Sequence, residues 1–160
     1  MRTGFCVIIA FVMLSFITDK TVPLSKIDPL LKRIENGGDT TFVVNFWATW
    51  CGPCVGELHY FTELDSAYRG KNIKVILVSL DFKKDISTKL IPFIEKRNIK
   101  TEVIFLDEVN DNEWIPKADK NWQGNIPATL IRNPKKNYRR FLPRETTYRE
   151  LDSLVTEIRN

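Results

Sequence analysis

Residues 41–47, Thr-Phe-Val-Val-Asn-Phe-Trp, are β-branched or aromatic at every position except Asn45. A run with so little polar alternation reads as a strand buried on both faces, inside a sheet that helices cover on either side. Just beyond Trp47 the pattern changes. From about Pro53 to Tyr68 it is helical, and Gly70 supplies a stop. A buried strand running directly into a helix is the opening unit of an α/β layer structure. The junction between them is Trp50-Cys51-Gly52-Pro53-Cys54. Two thiols therefore sit at the mouth of a helix that a core strand aims.

The rest of the chain extends this frame. Ile27, Leu30, Leu31 and Ile34 recur at helical spacing within Ser25 to Asn36, and Gly37-Gly38 ends that helix. Ile73 to Leu80 reads as a second buried strand. Ser87 to Asn98 reads as a helix that takes Pro92 near its first turn or as a kink. Val103 to Leu106 is a short strand. Asp107 to Gly124 is polar and irregular, with room for a short helix around Trp114. Ala128 to Ile131 and Tyr138 to Leu142 are strands joined through Asn133-Pro134, and Thr147 to Ile158 is a closing helix. Early strands alternating with helices call for parallel pairing through right-handed crossovers, while the last two strands are close enough for an antiparallel hairpin. The predicted fold is α/β, a central mixed five-stranded sheet flanked by helices. It carries an extra N-terminal helix and an insert before the late hairpin.

A chain of 160 residues builds one core of this kind and is short for two. Its net charge of +4 is mild, and no concentrated basic face argues for nucleic acid as a partner. The first residues are set apart. Met1 to Gly4 carries a positive charge, Phe5 to Ile17 is apolar except for Ser15, and Thr18-Asp19-Lys20 restores polarity. This is the layout of a secretory signal peptide, and the run is short for a membrane span. No small-x-small pattern ends the run, so an uncleaved N-terminal membrane anchor stays open, as does a buried N-terminal element. Residues 1–20 are assigned to that segment and 21–160 to the folded domain. The protein is expected to be periplasmic or otherwise exported, with anchoring to the inner membrane as the variant. Cys6 leaves with the signal, and Cys51 and Cys54 remain. A bridge between them closes almost no loop and adds little stability through chain entropy. Its better use is chemistry.

That chemistry follows from position. A helix N-terminus presents unpaired N–H groups and a partial positive charge, and both favour a thiolate. The thiolate is the attacking species. Pro53 fits the first helical turn, where its missing N–H has no helical partner. Cys51 is thus the candidate nucleophile, and Cys54, one turn along, the resolving thiol. A zinc site needs two more ligands, and the chain beyond the signal offers only His59. C-type haem attachment needs a histidine after the second cysteine, where Val55 stands. No metal or other cofactor is expected beyond the Cys51–Cys54 redox disulfide. A binding module or copper carrier without turnover is the alternative, although copper carriers of related fold usually space their cysteines by three residues.

The stretch from Val44 to Glu57, Val-Asn-Phe-Trp-Ala-Thr-Trp-Cys-Gly-Pro-Cys-Val-Gly-Glu, resembles the active-site segment of the TlpA/ResA-like family. These are exported thiol–disulfide oxidoreductases of thioredoxin-like fold, and the similarity runs from about Leu24 to the C-terminus. Asn125-Ile126-Pro127-Ala128-Thr129 is the second matching feature. The resemblance implies a cis Pro127 against the dithiol, with the Ile126 backbone ready to pair with an extended substrate. It implies that Glu57, three residues after Cys54, tunes the dithiol and moves protons. On a helix these two share a face; a solvated surface glutamate is the alternative. Asn45 stands where cytoplasmic thioredoxins carry a buried aspartate, and it cannot act as a base. His59 departs from the family pattern, where proline kinks the active-site helix.

Trp50, Gly52 and Pro53, with Ile126 and Pro127, form the expected substrate-binding surface. Trp50 shields the dithiol and offers apolar contact, while Trp47 is equally core. His59 is expected on the surface or in packing. Trp114 and Trp122 are expected in a packed loop, with a partner-binding rim as the other reading. Arg132 to Arg149 is rich in Arg and Lys, a solvated face by default. Gly52-Pro53 between the cysteines matches reducing thioredoxins, whose potential is about −270 mV. The expected activity is protein-disulfide reductase acting on client protein disulfides, in cytochrome c maturation or as a general exported reductase or isomerase. An upstream reductant, membrane-bound or not, must recharge it.

Overall fold

The computed structural model describes residues 21–159. The signal or anchor assigned to residues 1–20, with Cys6, lies outside them. The elements in order are β1 (Leu24–Ser25), α1 (Ile27–Glu35), β2 (Thr41–Trp47), α2 (Gly52–Ala67), β3 (Ile73–Ser79), α3 (Ile91–Lys96), β4 (Glu102–Leu106), α4 (Asp111–Ala118), β5 (Ala128–Asn133), β6 (Tyr138–Leu142) and α5 (Tyr148–Arg159). They form one mixed sheet in the order β1-β4-β3-β2-β5-β6. Strands β1 to β4 run parallel where they pair, and β5 lies antiparallel to β2 and β6. This is the thioredoxin-like arrangement that the sequence pattern implies.

The sheet has six strands rather than five. Leu24–Ser25 pairs with Phe105–Leu106 and covers the outer edge of β4. A two-residue strand is too short to show any periodicity, and its pairing is made by backbone alone. The Phe105 N–H donates to Pro23 O at 2.8 Å and the Asp107 N–H to Ser25 O at 2.8 Å. The expected helix from Ser87 to Asn98 is also more broken than its periodicity suggests. A 3-10 turn at Lys83–Asp85 and a π-turn at Ile86–Leu90 precede α3. Pro92 has no N–H to donate one turn back, and its ring crowds the carbonyl there. The wider π-turn accommodates both demands.

Every residue of β2 is buried, as its composition requires. Alternation along the strand then divides the core in two. Val43 and Trp47 pack with Val75, Leu77 and Ile131 under α2 and α5, where Phe61, Leu64, Leu151 and Val155 close the layer. Phe42, Val44 and Phe46 face the opposite side, with Ile76, Val78 and Leu130 under α1 and α4. The insert is packed rather than loose. Trp114 and Trp122 are buried, with Phe46 and Trp122 rings 4.9 Å apart. The same alternation puts Asn45 on the α2 side, a polar residue inside a largely apolar layer.

Phe61 of α2 is fully buried against the sheet. Phe61→Ala is expected to cost about 3–5 kcal/mol of unfolding free energy through lost burial and an unfilled cavity. Urea titration followed by far-UV circular dichroism measures it.

Candidate active site

Cys51 is the residue that caps α2. Its backbone is extended (φ −89°, ψ 100°), and the Cys54 N–H donates to its Sγ at 3.3 Å. The cysteine sulfur thus takes the place of the usual cap oxygen. Pro53, within the first turn, surrenders no helical bond. Cys51 and Cys54 are joined as a disulfide, with Cα atoms 5.3 Å apart. Both side chains are buried, whereas Gly52 and Pro53 between them are exposed. Trp50, 58% exposed, stands beside them.

Across from the disulfide lies the turn into β5. The Ile126–Pro127 peptide bond is cis. The Ile126 carbonyl oxygen is 3.8 Å from Cys51 Sγ. The turn is held from behind, where Trp122 Nε1 donates to Asn125 O at 2.8 Å and Asn125 Nδ2 donates to Pro143 O at 2.7 Å. Gly124 has φ +82°, and a Cβ there would come within 2.7 Å of Ile115 Cδ1. Only glycine meets both demands without displacing the α4 side chain. Of the five residues expected to bind substrate, Trp50, Gly52 and Pro53 adjoin Cys51 along the chain, and Ile126, next to Pro127, reaches its sulfur from across the site.

Glu57 is the deepest charged group of the site, 3% exposed on the inner face of α2. Asn45 Nδ2 donates to its Oε1 at 2.9 Å, and the Thr146 N–H donates to its Oε2 at 2.7 Å. Asn45 Nδ2 also reaches Thr129 Oγ1 at 3.2 Å. Burial pushes the Glu57 carboxyl up to about 7. The Thr146 and Asn45 hydrogen bonds pull the other way, and the nearby charge of Glu145 adds to the rise. The surface-glutamate alternative does not hold for this side chain. Asn45, unable to take a proton itself, donates to a carboxyl that can.

Two contributors carry little signal in the sequence pattern. Thr146 acts through its backbone N–H, which any residue but proline supplies. Asp81, just after β3, is buried and accepts from the Thr49 N–H at 3.2 Å, from Thr49 Oγ1 and from Ser79 Oγ at 2.8 Å. This clasp pins the loop between β2 and Cys51 to the end of β3. Its only visible sign was a carboxylate closing an apolar run. His59 is exposed, its ring against Tyr60 with centroids 3.9 Å apart, and α2 runs unbroken past it. Among the described residues no group of three or more His, Cys, Asp or Glu side chains is arranged to hold a metal ion. No described helix is long and apolar enough to cross a membrane.

The AhpC/TSA family matches residues 19–139. This chain belongs to that family. The thiol-disulfide oxidoreductase ResA of Oceanobacillus iheyensis is 46% identical over 39 residues, 24% of this chain and 20% of that protein. ResA of Bacillus anthracis is 37% identical over 60 residues, 38% of this chain and 33% of that protein. The matched stretches thus span a third or less of these relatives' own length. A thioredoxin-related protein from Neisseria meningitidis serogroup B superposes with a TM-score of 0.63 at 24% identity, over 74% of this chain and 84% of its own. StoA from Bacillus subtilis gives 0.56 at 18%, over 74% and 84%. At these identities the structural likeness concerns the fold. The ResA relatives support the TlpA/ResA-like resemblance of the Val44–Glu57 stretch, over a minority of either chain.

A carboxyl held near 7 when folded and near 4.5 when free binds its proton more tightly in the native state. Stability is then greatest below about 4.5 and falls as pH rises through 7, by roughly 3 kcal/mol in all. Glu57→Gln should remove that slope between pH 5 and 7.5. Urea unfolding at a series of pH values reads it, and an unchanged slope would assign the pH dependence elsewhere.

Proposed function

We propose that the protein is an exported protein-disulfide reductase working through Cys51 and Cys54. The observation that carries this reading is Cys51 Sγ at the N-cap of α2, 3.8 Å from the Ile126 carbonyl beside cis Pro127. One sulfur there meets both a thiolate-stabilising helix end and a free backbone edge that an extended client segment can pair with. In the forward direction the reduced Cys51 thiolate attacks one sulfur of a client disulfide. The client's other sulfur leaves as a thiolate, and a mixed disulfide forms. The Cys54 thiolate then attacks Cys51 Sγ, which closes the Cys51–Cys54 disulfide and releases the second client thiolate. Two electrons pass to the client, whose two sulfurs end as thiols. A separate dithiol reductant, membrane-bound or soluble, returns the electrons.

Glu57 is assigned to proton transfer at Cys54, one turn away on the same face of α2. A buried carboxyl near 7 is poised to accept a proton at neutral pH. The direction is read from Gly52-Pro53 between the cysteines, which favours a potential near that of thioredoxin, about −270 mV. The printed names of the ResA relatives support thiol–disulfide exchange as the reaction class. Export rests on residues 1–20 of the sequence. Client disulfides of exported proteins, apocytochrome c among them, are the substrates proposed.

Cys51→Ser should abolish insulin-disulfide reduction, and Cys54→Ala should accumulate a mixed disulfide through Cys51 that mass spectrometry identifies. Equal insulin turnover by wild type and Cys51→Ser would remove Cys51 from its assigned place. Equilibration with glutathione should give a potential below −200 mV; a value well above it would make the protein an oxidant.

A further inference from the structure

Three buried side-chain atoms lack a hydrogen-bond partner among the described residues: Trp47 Nε1, Tyr138 Oη and Asn45 Oδ1. Of the three side chains, Asn45 is the one bonded to the carboxyl of the candidate site, and it is fully buried. A buried amide oxygen without a donor is costly. The two ends of this amide are used unequally. Nδ2 donates to Glu57 Oε1 at 2.9 Å and to Thr129 Oγ1 at 3.2 Å, and it lies 3.5 Å from the Ala128 carbonyl oxygen. Oδ1 receives nothing.

This arrangement fits an ionised Glu57. Both carboxylate oxygens accept, Oε1 from Asn45 and Oε2 from the Thr146 N–H at 2.7 Å. It fits the protonated acid less well. A backbone N–H can only donate, so Thr146 keeps Oε2 as an acceptor. The proton then belongs on Oε1, which already faces a donor. A buried O–H needs an acceptor of its own. Half a turn of the Asn45 amide supplies one, because it exchanges Nδ2 for Oδ1 in the same place. Thr129 Oγ1 can follow, since a hydroxyl accepts from Nδ2 in one state and donates to Oδ1 in the other. The long contact to Ala128 O is what the turn gives up. The charged and titratable neighbours do not take over this task. Cys54, on the same helix, is in the disulfide. The charge of Glu145 favours the protonated carboxyl. Glu150 of α5 accepts from Thr146 Oγ1, and Arg144 holds it below the usual carboxylate range.

We propose that Asn45 is a positioning residue whose amide follows the proton on Glu57, donating through Nδ2 to the carboxylate and turning over to accept the carboxyl proton at Oδ1. The inference rests on the disulfide-exchange reading above and deepens it. When the Cys54 thiol gives its proton to Glu57, the thiol becomes a thiolate and the carboxylate an acid, and no electrons move in that step. Asn45 then holds the new O–H until the proton leaves for solvent. The oxygen left without a donor in one state is the acceptor of the other.

Nuclear magnetic resonance on the oxidised protein, with asparagine labelled at the side-chain nitrogen, tests this. The cross-peak between the Asn45 Nδ2 protons and the Thr129 side chain should be present at about pH 9 and lost at about pH 5, with the midpoint of the Glu57 carboxyl carbon. Glu57→Gln makes the sharper comparison. In that variant the Thr146 N–H takes the amide oxygen, so the amide nitrogen faces Asn45 and only Oδ1 can receive it. The cross-peak should then be absent at both pH values. A cross-peak that keeps its strength at both pH values in wild type, or that persists in Glu57→Gln, makes Asn45 a static donor and overturns the proposal. Asn45→Leu keeps the forked shape and loses both polar ends. It should move the pH midpoint of insulin reduction upward by about one unit, a tenfold change in proton affinity, because the carboxylate loses its donor. An unmoved midpoint removes Asn45 from the positioning role. The resonance measurement on wild type does not depend on that variant folding. Wild type that reduces insulin while its cross-peak stays fixed loses the amide turn and keeps the exchange reading. Wild type that reduces no insulin overturns the exchange reading, and the positioning role with it.

Discussion

The two hydrogen bonds to the Glu57 carboxyl tie together parts of the chain that are far apart in sequence. Asn45 brings the middle of β2, Glu57 brings the first turns of α2, and Thr146 brings the loop between β6 and α5. The reactive end of α2 is therefore fixed to the centre of the sheet through polar contacts inside an otherwise apolar layer. Such a contact is costly unless every polar atom finds a partner. Both carboxylate oxygens do, whereas Asn45 Oδ1 is buried without a hydrogen-bond partner among the described residues, a cost that this site carries. The site gains a fixed geometry from this, and its carboxyl becomes a group whose charge depends on pH near neutrality. Structure and chemistry rest on the same few bonds.

Much of this was legible because it follows from alternation and spacing. The unbroken apolar run of β2 announced a central strand, and the switch to helical spacing at Pro53 placed Cys51 at a helix start. Asn45 stood out as the one residue in that run that is neither β-branched nor aromatic. What it touches was harder to read. Its partner depends on the parity that turns residue 45 toward α2 and on the rotation of α2 that turns Glu57 inward. Sequence spacing puts Glu57 on the Cys54 face of the helix, but not on the buried face. Burial decided that.

The features that escaped are those with backbone or long-range causes. The β1 pairing uses two residues and no side-chain code. The Thr146 N–H would serve equally well from almost any residue. The clasp between Asp81 and Thr49 joins positions on two crossovers of the fold, and neither residue type signals the other. The π-turn before α3 is intermediate: Pro92 gave warning of a disturbance, but the form it took was set by how Ile86, Leu90 and Ile94 reach the core around it. The insert carried Trp114 and Trp122 as ordinary bulky residues. They became informative once their packing on Phe46 showed that the insert supports the Ile126 turn instead of hanging free.

The short β1 strand has a bearing on where the chain enters the domain. β1, β4, β3 and β2 all point the same way, and their C-terminal ends make up the pole that holds Cys51. The chain must then arrive at the opposite pole. It does so at Thr21 and Val22, beside Lys100 and Thr101 at the start of β4. Residues 1–20 therefore join the domain at that end. The junction with residues 1–20 and the reactive sulfur lie at opposed ends of the sheet, so whatever precedes Thr21 enters the fold away from the chemistry.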